Sequence, residues 1–83
     1  LQIEREVRGF ITKELERQLD GVRDDESLLE AGVIDSLGVL SLVSFIERRY
    51  GIAVTEDEMM PENFDSIEAI AGFITRRREP ERV

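Results

Sequence analysis

Apolar residues recur along this chain at helical spacings, and the pattern changes character from one segment to the next. Over Gln2 to Leu19, the residues Ile3, Val7, Phe10, Ile11, Leu15 and Leu19 stand mostly three or four apart with charged residues in most of the gaps. This spacing predicts an amphipathic helix over the whole span. Its four-residue steps rotate the stripe by about 40° each time, which suits a helix lying obliquely across its neighbours. Gly9 is a weak point within it, and Glu4, Arg8, Glu14, Glu16 and Arg17 form its wet face. The stretch Gly32 to Tyr50 reads differently. Wound as a helix from Ser36, its apolar residues Val39, Leu40, Leu42, Val43, Phe45, Ile46 and Tyr50 cover roughly 220° of the circumference. That predicts a helix packed on three sides, with Leu40 in the core. The narrow remaining face carries Ser41, Ser44 and Arg48, with Leu37 as an apolar residue on the exposed side.

Between these helices, Asp20 to Asp35 is longer than the usual helix-to-helix link. Val22, Leu28, Leu29, Val33 and Ile34 are its expected anchors. A single helical turn is predicted over Ser27 to Ala31, capped by Asp24 or Asp25 and ended by Gly32. After the central helix, Gly51 is a natural stop, Ile52-Ala53-Val54 is a short apolar segment, and Thr55 caps a brief turn. Pro61, surrounded by Met59, Met60 and Phe64, keeps any helix between Thr55 and Asp65 short or broken. Asp65 stands three residues before Glu68, the spacing of a capping box, and Ile67, Ile70, Ala71 and Ile74 make the stripe of a final helix. Arg76 to Arg78 fall in its last turn, where cations complement the helix dipole. The pattern as a whole is all-α.

The start of the central helix carries the candidate chemistry. The first N–H groups of a helix have no intrahelical partner and sit at the positive end of the macrodipole, so a serine oxygen in that turn is well placed to hold a phosphate. Ser36 occupies that turn and Asp35 precedes it. The plainer reading is that Asp and Ser are the commonest N-caps and that the pair does nothing more. Neither residue completes a capping box, because Gly38 and Val39 stand at the required positions. Gly38 costs the helix about 1 kcal/mol relative to alanine, and on the sequence alone its effect is to keep the surface beside Ser36 bare.

Composition narrows the function classes. Eighty-three residues fit one domain, spanning 1–83, with a single economical core. There is no cysteine and no histidine, which removes disulfides, thiolate metal sites, cysteine nucleophiles and the usual general base. The acids Asp20, Asp24, Asp25 and Glu26 do not make a calcium loop: starting from Asp20, the glycine position falls on Asp25 and the closing glutamate position on Ala31. No apolar run reaches 18 residues and no basic-then-apolar leader is present, so neither a membrane span nor a secretory signal is expected, and the expected location is cytoplasmic. The formal net charge of −8 is concentrated in residues 24–68, where twelve acids face only Arg48 and Arg49. Nucleic acid and anionic membrane are therefore poor partners. Proteins with basic docking surfaces fit better, and an ordinary solvated acidic surface accounts for the charge equally well.

The run Gly32-Val33-Ile34-Asp35-Ser36-Leu37, followed by the apolar helix and a Tyr50-Gly51-Ile52 exit, resembles the acyl and peptidyl carrier proteins over nearly the whole chain. The resemblance implies a small four-helix bundle, three longer helices plus one short third helix, with a long loop between helices 1 and 2. It implies that Ser36 bears a 4′-phosphopantetheine arm, attached from coenzyme A by a phosphopantetheinyl transferase. The arm's thiol would carry an acyl or aminoacyl group as a thioester between separate enzymes, the domain being a monomeric tether and not an enzyme. Asp35 would orient or attract the modifying enzyme, and Leu37, Gly38, Ser41, Ser44 and Arg48 would meet partners. One departure stands out. Fatty-acid carriers have a strongly acidic second helix, whereas here the exposed face runs Gly38, Ser41, Ser44, Arg48 and Arg49 with only Glu47 negative. The Ile-Asp-Ser-Leu-Gly-Val form is closer to stand-alone carriers served by a dedicated adenylating ligase, in specialised metabolism or amino-acid activation, than to a housekeeping fatty-acid carrier served by synthase and acyltransferase enzymes. The rival from another class is an unmodified helical adaptor. An enzyme is a distant third, since Ser36 has no convincing base nearby in sequence.

Overall fold

A computed structural model describes residues 2–78; Leu1 and residues 79–83 of the expected 1–83 domain lie outside the described residues. The elements in chain order are α1 (Gln2–Lys13), α2 (Ser36–Tyr50), a single 3-10 turn (Glu56–Glu58), α3 (Pro61–Phe64) and α4 (Ile67–Arg78). The fold is all-α, with three longer helices, a short third one and a long loop between α1 and α2, as the pattern and the resemblance led one to expect. α1 packs mainly against α4, and α2 lies across both. The core joins Val7, Phe10 and Ile11 of α1, Leu42, Val43 and Ile46 of α2, and Ile67, Ile70, Ala71, Phe73 and Ile74 of α4. Phe73, absent from the predicted stripe, meets Phe64 of α3 edge-on at 5.3 Å between ring centroids. Phe10 and Phe45 stack at 4.4 Å and join α1 to α2.

α1 is shorter than its apolar stripe. It stops at Lys13, and the chain then turns away: the Leu15 N–H reaches back to the Phe10 carbonyl at 3.4 Å, the Arg17 N–H to Ile11 at 3.2 Å, and Glu16 adopts a left-handed φ of 54°. Leu19 is still buried, but as the first anchor of the loop and not as the last residue of a helix. A period of four in the sequence records which residues go inward, and here an irregular path brings the later ones there. Gly9 does not interrupt the helix.

The central helix is not surrounded as expected. Leu40 is 54% exposed, and only Leu42, Val43 and Ile46 of α2 are buried. The cause lies in the third side of the bundle: α3 is four residues long, too short to cover the apolar arc that α2 presents. Leu29, an expected loop anchor, is exposed as well, while Leu28, Val33 and Ile34 are buried and Val22 is half-buried.

Two caps also differ from expectation. The loop turn forms at Ser27 to Ala31 and ends at Gly32 with φ 74°, but neither Asp24 nor Asp25 caps it. Their carboxylates pair with Arg8 and Arg23 respectively, and the Ser27 hydroxyl accepts the Glu30 N–H at 3.0 Å. At α4 the cap comes from Ser66, whose Oγ accepts the Ala69 N–H at 3.0 Å. The Asp65 carboxylate turns instead to the long loop, where Oδ1 accepts the Ser27 hydroxyl at 2.7 Å and the Leu29 N–H at 3.3 Å. Gly51 behaves as predicted, with φ 68° and its N–H on the Glu47 carbonyl at 3.1 Å.

Candidate functional site

Ser36 is the first residue of α2 and is exposed. Asp35 is the N-cap, with φ −122° and ψ −172°, and its Oδ1 accepts the Gly38 N–H at 2.8 Å. Since Asp35 fills the cap, the serine hydroxyl has no structural duty: among the described residues no group hydrogen-bonds to it. An exposed, unpartnered hydroxyl thus stands at the positive end of a fifteen-residue helix. Gly38 has a different reason from bareness. A Cβ built there would lie 2.6 Å from Cγ1 of Ile34, a side chain only 4% exposed. The missing side chain lets the end of the loop pass directly beneath the first turn of α2, and Gly38 itself is half-buried.

A groove of about 310 Å³ opens beside Ser36. Leu29, Val39 and Leu40 form one wall, and Met59, Met60, Pro61 and Phe64 form the other. No charged side chain lines it. The groove accounts for four of the exposed large apolar residues of the described chain, Leu29, Leu40, Met59 and Met60. Sequence reasoning did not find this feature, because it assigned Leu29 and Leu40 to the core and gave the methionine pair no role. The available signal was Met-Met-Pro itself: large flexible apolar side chains in a segment that proline prevents from folding inward as a helix.

The other predicted residues lie on the neighbouring flank of α2, which meets the groove at Leu40. Ser41, Ser44 and Arg48 line a furrow with Phe10, Glu14, Leu15 and Leu40. An adjoining hollow contains Arg17, Asp35, Leu37 and Ser41. Leu37 is 73% exposed. Asp35, Leu37, Ser41, Ser44 and Arg48 are therefore brought together on one accessible side; Gly38 borders it but lies half-buried against Ile34.

At the far end of α2 from Ser36, Glu6 of α1 accepts hydrogen bonds from the Tyr50 hydroxyl, from Gln2 at 3.1 Å and from Arg49 at 3.0 Å. These donors, the tyrosine first, hold its carboxyl below the ordinary glutamate range. Burial, and then the same carboxylate, push the tyrosine hydroxyl strongly up. The cluster locks α1 to α2 at the end remote from the serine. Among the described residues there is no grouping of His, Cys, Asp or Glu able to hold a metal ion, and no helix is long and apolar enough to cross a membrane. Around Ser36 the structure supplies a free hydroxyl and an apolar surface, with the carboxylate of the adjacent Asp35 already committed to the cap.

The family model described as "Phosphopantetheine attachment site" matches residues 5–74 of the chain. A protein named "Probable acyl carrier protein PigG" in Serratia sp. is 25% identical over 77 residues, covering 92% of this chain and 88% of its own length. An acyl carrier protein of Campylobacter hominis is 30% identical over 74 residues, 89% of this chain and 91% of its own. A D-alanyl carrier protein of Streptococcus suis is 39% identical over 50 residues, 60% of this chain and 63% of its own. With the match running through the loop, α2 and α4 alike, the chain belongs to the phosphopantetheine-attachment family of carrier proteins, whose prosthetic group is a covalently bound 4′-phosphopantetheine.

Proposed function

We propose that Ser36 bears the phosphopantetheine and that the chain is an acyl or aminoacyl carrier, not an enzyme. The observation that carries the reading is the free Ser36 hydroxyl, exposed at the first position of α2 while Asp35 does the capping. The residues fit the group: the phosphodiester would lie at the helix N-terminus, where backbone dipoles favour an anion, and the arm would leave beside an uncharged groove. When bound, the arm supplies the thiol that holds cargo as a thioester; the chain supplies placement. In the loading step, Ser36 Oγ forms the new P–O bond at the pantetheine-bearing phosphorus of coenzyme A. The phosphoanhydride bond breaks, adenosine 3′,5′-bisphosphate leaves with the electron pair, and the hydroxyl proton passes to a base of the transferase. Asp35, Leu37, Ser41, Ser44 and Arg48 form the face that meets the transferase and the enzymes that load and unload the arm.

The pathway reading is the finer part. The exposed side of α2 carries serines and two arginines with Glu47 as its one acid, which favours a dedicated adenylating ligase in specialised metabolism or amino-acid activation over a housekeeping fatty-acid synthase. The location that fits is the cytoplasm, where coenzyme A is available, and the chain works as a monomer.

Incubation with coenzyme A, Mg²⁺ and a broad-specificity phosphopantetheinyl transferase, followed by intact mass measurement, tests the assignment. The chain should gain one phosphopantetheine mass and Ser36→Ala none. The variant should keep its helical circular dichroism and lose no more than about 0.5 kcal/mol, since the cap is elsewhere. Mapping of the group to Ser27, Ser41, Ser44 or Ser66 would move the site, and no mass gain at all would leave the adaptor reading in possession.

A further inference from the structure

We propose that Asp65 is the positioning residue of this site, because one carboxylate ties together the two walls of the groove beside Ser36. The inference rests on the reading of Ser36 as the attachment point. The local sequence offers Asp65 an easy employment as the cap of α4, with Glu68 three residues on. It does not take it. Ser66 caps the helix, and Asp65 Oδ1 accepts two hydrogen bonds from the loop between α1 and α2, from Ser27 Oγ at 2.7 Å and from the Leu29 N–H at 3.3 Å. Its main-chain carbonyl accepts a third, from the Leu28 N–H.

The residues on either side of these bonds are those that shape the groove. Leu29, whose N–H is held, stands in one wall; Phe64, covalently next to Asp65, stands in the other. Leu29 is 38% exposed, so core packing does not fix it. Phe64 is 1% exposed and clamped against Phe73. Asp65 therefore transmits the fixed position of Phe64 to the loosely packed Leu29 and sets how far apart the walls stand. A carboxylate accepting two donors in a half-buried place is a stronger tie than a neutral hydrogen bond. Loss of it would let Leu29 move without unfolding the helices.

The experiment uses the full chain carrying, at Ser36, a pantetheine arm whose thiol bears a solvatochromic naphthalene dye, installed from the corresponding coenzyme A analogue. Emission is compared for the parent, Asp65→Ala, Asp65→Asn and Ser66→Ala, each with a thermal melt. In the parent the emission should be blue-shifted relative to the free dye conjugate in water. Asp65→Ala should move it toward the water value, and Asp65→Asn should restore the parent emission, because its amide oxygen accepts the same two donors. Ser66→Ala removes the α4 cap and should lower the melting temperature while leaving emission unchanged, which separates groove geometry from stability. The proposal is overturned if Asp65→Ala keeps the parent emission, if Asp65→Asn behaves like Asp65→Ala, if Ser66→Ala shifts emission as much, or if the parent dye already emits as in water. Failure of the underlying reading looks different: the label would then attach to Ser36→Ala, or not attach to the parent.

Discussion

The two walls of the groove beside Ser36 are anchored by opposite means. The loop leading to Asp35 sends Leu19, Leu28, Val33 and Ile34 into the core and is further tied by Arg8, whose guanidinium donates to Asp24 Oδ1 at 2.9 Å and to the Val22 carbonyl at 2.6 Å. A backbone bond from the Glu68 N–H to the Asp24 carbonyl, 2.8 Å, fastens it to α4. The segment from Ile52 to Phe64 has buried apolar residues only at its two ends, Ile52 and Phe64. Between them it hangs from surface carboxylates: Glu47 accepts the Val54 N–H at 2.9 Å, and Glu58 accepts the Thr55 N–H at 3.0 Å and the Arg77 guanidinium. Arg77 also donates to the Ala53 carbonyl at 3.1 Å. Apolar burial gives non-directional strength, whereas exposed ionic ties contribute little to global stability and yield readily. The loop behind one wall is thus fixed by its buried residues, with exposed Leu29 itself held through Asp65, whereas the other wall is fixed at Phe64 and adaptable at Met59 and Met60. Unbranched methionines suit a surface that must fit more than one shape.

The largest effect should come from the fixed side. Leu28 is wholly buried, so Leu28→Ala should cost about 2–5 kcal/mol, and in a chain of this size each kcal/mol lowers the melting temperature by about 4–8 °C. A melt close to the parent would show that the loop is not core-anchored. Gly38→Ala comes next. A new methyl against Ile34 should cost about 1–3 kcal/mol in overpacking, offset by about 1 kcal/mol of helix propensity, so a net fall in stability is expected where propensity alone predicts a gain. Calorimetry decides the sign.

Arg77→Ala tests the adaptable wall. It should shift the melt far less than Leu28→Ala, yet hydrogen exchange at residues 54–60 should accelerate while residues 28–34 keep their protection. Equal acceleration in both segments would mean that the two walls are anchored alike. The smallest effect is a titration. Glu58 is held below the ordinary glutamate value of 4.5, first by the Thr55 N–H and then by Arg77. A lowered folded-state pKa means that its ties contribute stability above the ordinary carboxylate range and lose it as the pH falls through the lowered value. The Thr55 amide shift followed by NMR should therefore move at a pH below that of an exposed glutamate, and Glu58→Gln should abolish the movement.

Much of this was legible beforehand, and the rest was hidden for definable reasons. Helix type, the stop at Gly51, the broken segment around Pro61 and the place of Ser36 all depend on local chemistry, which a sequence carries openly. The end of α1, the exposure of Leu40 and the cap of α4 depend on what lies opposite. Leu40 looks like core on a wheel because a wheel does not know that α3 is too short to cover it. Asp65 looks like a cap because the Ser27 hydroxyl, 38 residues away, is invisible to a local rule. Gly38 reads in the sequence as a cost to the helix, but its cause, the buried Ile34 four residues earlier, lies in the packing of the loop against α2. The misses at Leu40 and Asp65 fall on the groove or on a residue that holds it, where local preference gives way to the needs of a site.

The reach of Asp65 also sets an order in time. Its bonds to Leu29 and Ser27 close loops of 36 and 38 residues, and such closure is unfavourable until the helices between have docked. During synthesis Ser36 leaves the ribosome well before Asp65 does, and α2 can form around it while its loop has nothing to fasten to. A modifying enzyme acting on the growing chain would therefore meet an accessible serine without the finished groove. The completed shape becomes available only once α4 has followed, so the tie that sets Leu29 is among the last features of the site to be assembled.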